Sequence, residues 1–186
     1  MESKVRFALD SKASQLTVHG FASGLASVVA HNPKFAIQEF SGEARFTPGT
    51  LAEASLRIVM KASSLNLVDE VTEYDRQEIH RVTFDEVLET KSYREIVFES
   101  SQIAVAKISD NLFRATVTGN LALHGVRRTH TFKAQVVVGE DSLRAYGDFN
   151  VNQSEYGIRT ASIAGGTLRM KDEVKIAFFI IGRKEG

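Results

Sequence analysis

The chain has 186 residues, with 23 Lys and Arg against 23 Asp and Glu, and no cysteine. Balanced charge supplies no global field for nucleic acid or an anionic membrane, and the missing thiol excludes disulfides, thiol catalysis and thiolate metal sites. This length fits a single domain, residues 1–186, because all-β barrels and sandwiches of about this size rarely split.

The N-terminus reads MESKVRFALD, without the apolar core or small-residue cleavage site of a secretory signal. The longest apolar run, residues 176–181, is far too short to cross a bilayer. The expectation is a cytoplasmic protein with no integral membrane segment, or a periplasmic one if a leader was removed.

Val5, Phe7 and Leu9 alternate with Arg6 and Ala8, as a half-buried strand requires, and Leu16 and Val18 continue as a second strand. Residues 21–34 are less regular, with room for a helical turn through Leu25, Val28 and Val29 before the turn signal Asn32-Pro33. Residues 37–46 read as a strand. Thr47-Pro48-Gly49-Thr50 has the proline and glycine positions of a type II turn, and residues 51–63 return as its partner, with Leu56, Ile58 and Met60 inward.

The period then changes. Across residues 68–90 apolar residues recur at helical spacing, and Thr83 followed by Glu86 matches a capping box for a second short helix at residues 84–89. Strands resume at Ile96 and Phe98, pass through Ile103 and Val105, and lead into the longest alternation of the chain. There Phe113, Ala115, Val117, Gly119, Leu121 and Leu123 share one face; the chain reverses at His124-Gly125 and returns with Phe132, Ala134, Val136 and Val138 inward. Leu143, Ala145, Gly147, Phe149 and Val151 form the next inward face. Residues 152–170 read as a loop containing Gly165-Gly166, and residues 173–182 as the closing strand.

About nine β segments joined mostly by short turns point to an all-β fold, a meandering antiparallel sheet closed into a barrel, with one helical excursion at an end. Small inward residues (Ala44, Ala115, Gly119, Ala134, Gly147) fit two readings equally: room for a ligand, or close packing of a tapering wall.

Candidate chemistry is sparse. The histidines His19, His31, His80, His124 and His130 include no pair four apart on a helix. His124 and His130 flank a turn, which allows a two-histidine site. A turn residue and a solvent-facing strand residue are the favoured readings, so no metal or cofactor is expected. No GxSxG elbow is present. The acidic run Asp69, Glu70, Glu73 and Asp75 lacks the spacing of a calcium loop. Gly165-Gly166 is followed by no phosphate-binding lysine.

Several segments taken together resemble the YceI-like family, lipocalin-like barrels associated with polyisoprenoid and other long-chain lipid binding. They are Asp75-Arg76 with residues 78–88, Tyr93 and Ile96-Val97-Phe98-Glu99-Ser100; Gly119-Asn120-Leu121-Ala122-Leu123-His124-Gly125-Val126; Tyr156-Gly157-Ile158; and Asp172-Glu173-Val174-Lys175-Ile176. They span about the last two-thirds of the chain. The N-terminal third matches poorly, and Arg94 stands where family members usually carry proline.

The resemblance implies an up-and-down antiparallel barrel of about eight strands with an elongated apolar cavity. The function expected is non-catalytic binding or carriage of an isoprenoid, quinone or fatty-acyl chain inside the barrel. Expected lining residues are Leu56, Ile58, Met60, Phe98, Val117, Leu121, Phe132 and Phe149, with Arg76 and Arg159 at the barrel ends for a polar or charged head. Two alternatives stand beside it: a filled barrel serving as a structural or stress-responsive interaction module, and a small-substrate enzyme using His31 or His124 as base. The partner is an apolar small molecule rather than nucleic acid, and a homodimer is compatible with the sequence.

Overall fold

The computed structural model describes residues 3–24, 32–163 and 168–186. The helical turn expected through Leu25, Val28 and Val29, His31, and Gly165-Gly166 lie outside them.

Eight antiparallel strand paths close into a barrel. The first is split into β1 (Val5–Leu9) and β2 (Gln15–His19), the second into β4 (Lys34–Ile37) and β5 (Phe40–Phe46), and the third into β6 (Ser55–Lys61) and β7 (Leu65–Leu67). The remaining five are long and continuous except for one bulge: β8 (Glu95–Lys107), β9 (Leu112–Leu123), β10 (Val126–Val138), β11 (Ser142–Asn152) and β14 (Glu173–Lys184). Each path pairs with the next in the chain, and β14 closes the ring by pairing with both β1 and β2.

The splits have local causes. After β1, the Asp10 carboxylate accepts from the Lys12 and Ala13 amides, which folds residues 10–13 outward before the chain rejoins the same neighbour. Between β6 and β7 a 3-10 turn at Ala62–Ser64 interrupts the strand, and the Ser64 hydroxyl donates to the Lys61 carbonyl.

β8 carries a bulge where Ser100 pairs with Gly119 but Gln102 pairs with Thr118. The extra residue reverses the parity of the strand, so Ile96 and Phe98 face inward before it and Ile103 and Val105 after it. Gly119 lies opposite. A Cβ there would stand 2.6 Å from the Phe98 ring and 2.5 Å from the Glu99 carbonyl oxygen.

At His124-Gly125 both residues have positive φ, 51° and 73°, and Leu123 pairs with Val126, giving the two-residue I′ hairpin whose twist matches the strands.

The helical excursion differs from its expected form. α1 (Glu73–Arg81) lies ahead of the Thr83 signal, beginning ten residues before it. Thr72 is the N-cap: its hydroxyl oxygen accepts from the Asp75 amide at 3.1 Å, and its hydroxyl donates to the Asp75 carboxylate. No second α-helix is capped by Thr83. The chain runs from α1 into a π-helical turn, Val82–Val87, in which the Leu88 amide donates to the Thr83 carbonyl. Glu86 is drawn away to Arg81.

The segment expected as a loop also has structure: a 3-10 turn at Gln153–Tyr156, then β12 (Ser162–Ile163) and β13 (Leu168–Met170). β13 pairs with β12 and with β3 (Ala22–Ser23) in a small sheet at the barrel end.

Candidate functional site

The inward faces of the eight paths enclose a cavity of about 230 Å³. It runs from Leu51, Ala54 and Ser55 near the short turns to Leu88, Gln153 and Ile158 near the long connections, and among the described residues Ser55 and Gln153 are the only polar ones of its lining. All eight apolar residues singled out from the sequence, Leu56, Ile58, Met60, Phe98, Val117, Leu121, Phe132 and Phe149, lie on this wall. Leu56, Ile58, Phe132 and Phe149 point inward yet are only half-buried. The surface they keep faces the void. An apolar cavity of this kind stays dry and accepts apolar guests; a smaller engineered one of about 150 Å³ binds benzene.

The two readings of the small inward residues divide between positions. Ala44, Ala115 and Ala134 border the cavity and make room in it. The space beside Gly119 is filled by the Phe98 ring and that beside Gly147 by Phe178, whose ring would lie 2.9 Å from an added Cβ. An aromatic cluster narrows the middle of the barrel: Phe132 stacks on Phe149 at 4.6 Å between ring centres and meets Phe98 at 5.4 Å and Phe178 at 5.6 Å.

The two arginines do not join this wall. Arg76 turns its guanidinium to the chain that precedes α1, donating to the carbonyls of Leu67 at 2.9 Å and Asp69 at 3.0 Å. It pins α1 to the end of β7. Arg159 is exposed, whereas its neighbour Ile158 is buried and lines the cavity. Proximity to a barrel end along the sequence does not settle which way a long side chain turns, and here backbone carbonyls claim one guanidinium and solvent the other.

The sequence reading missed a polar network beside the cavity. His130 shares inward parity with Phe132 and is not a solvent-facing residue. Its Nε2 lies 2.6 Å from the hydroxyl of the fully buried Tyr156, and its ring packs on Phe149. Burial holds His130 below its ordinary value, and burial, then the nearby Glu155 carboxylate, push Tyr156 up to about 12. At neutral pH the Tyr156 phenol therefore donates and a neutral His130 accepts.

His124, at the hairpin tip, places Nε2 at 2.6 Å from the Glu89 carboxylate and Nδ1 at 3.3 Å from the Tyr156 carbonyl oxygen. Tyr93 packs on its ring at 4.2 Å. The two histidines thus meet the same tyrosine rather than each other. Among the described residues no group of three or more His, Asp or Glu side chains is arranged to hold a metal ion. Extending the period-two pattern of β10 back from Phe132 would have placed His130 inside; nothing in the spacing of Tyr156 announced its partner.

This architecture is similar to several solved structures. BcnA of Burkholderia cenocepacia superposes with a TM-score of 0.71 at 21% identity, covering 93% of this chain and 98% of that one. A polyisoprenoid binding domain from Saccharophagus degradans, implicated in plant cell wall breakdown, gives 0.68 at 15% identity over 96% and 98%. The Campylobacter jejuni YCEI protein gives 0.63 at 17% identity over 84% and 88%. No curated protein matches by sequence. The YceI-like domain matches residues 3–181 and so takes in the N-terminal third, where the split strands obscure the motif spacing. With the closed eight-path barrel and a match across nearly its whole length, the chain belongs to the YceI-like family.

Proposed function

We propose that this protein binds or carries a long apolar chain, isoprenoid-like or fatty-acyl, inside the barrel without transforming it. The observation that carries the reading is the cavity wall, continuous from Leu51 to Ile158 and, among the described residues, polar only at Ser55 and Gln153. Transfer of apolar surface from water supplies the affinity at about 0.8 kcal/mol per buried methylene. Ten such groups give roughly 8 kcal/mol before the cost of ordering the chain.

The described residues of the lining include no cation to meet a carboxylate and no nucleophile beside a base, which supports a neutral or rim-exposed head and binding without chemistry. The narrowing at Phe132 and Phe149 favours a slender chain over a fused-ring ligand. The polyisoprenoid binding domain of similar fold agrees with this class of ligand. The same aromatic cluster is what favours the second reading, a filled barrel acting as an interaction module; the half-buried inward side chains weigh against it.

The test is organic extraction of the purified protein followed by mass spectrometry. A reproducible long-chain species is expected, reduced in Ala134→Leu, which fills the wall while the fold is checked by thermal melting. No extracted lipid, together with no thermal stabilisation by added long-chain isoprenoids, sinks the proposal.

A further inference from the structure

The outer wall of a soluble antiparallel barrel is expected to be polar. Near the short-turn end it is not. Two neighbouring register rows cross β9, β10, β11 and β14. One contains Leu112, Val137, Arg144 and Ile181, with Ile108 hydrogen-bonded beside Leu112; the next contains Arg114, Gln135, Tyr146 and Phe179.

Ile108 is 51% exposed, Tyr146 40% and Phe179 39%, and these are three of the five most exposed large apolar residues described. The other two, Val68 and Tyr74, lie at the opposite end among the carboxylates of the helical excursion. The only charged members of the two rows are Arg114 and Arg144. In the row below, Asp148 is already engaged by Lys175 at 3.3 Å.

We propose that this band is a docking surface for an anionic lipid bilayer. Its apolar side chains would enter the headgroup boundary, Tyr146 and Phe179 as the interfacial aromatics, while Arg114 and Arg144 keep their aliphatic stems on the patch and turn their guanidinium groups to lipid phosphates. The charge pattern selects this occupant over a second copy of the chain. The two rows hold arginines and no carboxylate, and the nearest exposed carboxylates, Asp110, Glu140 and Asp141, lie in the turns beyond them, so an isologous interface that superposes the rows would set arginine against arginine. The band is local, so it operates on a chain of zero net charge. It also needs nothing from the cavity, because every residue in it points outward.

The experiment is co-sedimentation of the full chain with phosphatidylglycerol-containing and pure phosphatidylcholine vesicles. Binding to the anionic vesicles, weakened by high salt and much lower on phosphatidylcholine, is expected. Neutralising both arginines (Arg114→Gln with Arg144→Gln) should lower the affinity by roughly fivefold per residue. Phe179→Ser should lower it further, Tyr74→Ser should leave it unchanged, and the lipid extracted from inside the Phe179→Ser protein should be the same as before. Absence of vesicle binding, equal losses in the Tyr74 and Phe179 variants, or a dimer by light scattering that Phe179→Ser dissolves while vesicle binding is unchanged would each overturn the proposal.

Discussion

At the short-turn end of the barrel, Phe7 stacks on Phe46 at 5.3 Å, and Leu51 and Phe113 pack with them, all four 4% exposed or less. At the other end a polar network stands beside the apolar packing of Phe84 and Leu88. Glu89, His124, Tyr156 and His130 link the segment after α1, the hairpin tip and the connection between β11 and β14 through hydrogen bonds. Apolar packing of the first kind has no switch: its strength follows buried area and varies little with pH. Hydrogen bonds between titratable groups in three separate connections depend on protonation and can be exchanged for water one at a time. If a guest enters, the polar end is the one that can open without dismantling the core.

The contrast can be broken by substitution. Phe113→Ala should be the most damaging change, costing about 3–5 kcal/mol of unfolding free energy by denaturant titration, because a cavity opens in a plug that cannot collapse. Tyr156→Phe removes one hydroxyl and leaves His130 without its donor, at a cost of about 1–3 kcal/mol. Should the two variants lose equal stability, the ends do not differ as described.

The pH response sharpens the comparison further. The folded state holds His130 below the ordinary 6.5, so it binds fewer protons there than the unfolded chain does. Stability from this residue is complete above that value and is lost as pH falls from it to the depressed folded value. His19, lowered first by burial and then by Lys34 and Lys175, acts in the same direction. Unfolding followed across this window should show a slope that becomes shallower in His130→Gln, with the His19 share remaining. Phe113→Ala should shift the whole curve without changing its slope. The smallest effect belongs to Glu89→Ala: the carboxylate is 49% exposed, and loss of its bond to His124 should cost only about 0.2–1 kcal/mol, read in a double-mutant cycle with His124→Gln.

Much of the barrel was legible because side-chain parity is written directly into the sequence. The switch from even positions (Ile96, Phe98) to odd ones (Ile103, Val105) even records the bulge in β8. Parity also identified eight wall residues, since facing inward in a closed barrel means facing the cavity. Direction is what it could not supply. Arg76 lies at a barrel end in sequence and in space, but its side chain follows the nearest unpaired carbonyls. Thr83 with Glu86 and Thr72 with Asp75 both carry capping chemistry. Only the latter caps, because the chain at Thr83 is already committed to a helix begun ten residues earlier. Tyr156 was unreadable as a partner of His130, because their contact across 26 residues depends on the tertiary path of the connection.

The last strand, β14, is a neighbour of both β1 and β2 as well as β11. Residues from the first and last strands of the barrel, such as Phe7 and Lys184, therefore sit side by side. During synthesis β1 and β2 have no hydrogen-bonding partner on that flank until β14 leaves the ribosome, and the incomplete barrel presents two open edges while it waits. Such a ring closes late and slowly, since its decisive pairings span nearly the whole barrel domain. Any guest present at that moment has a route inward that the finished barrel no longer offers.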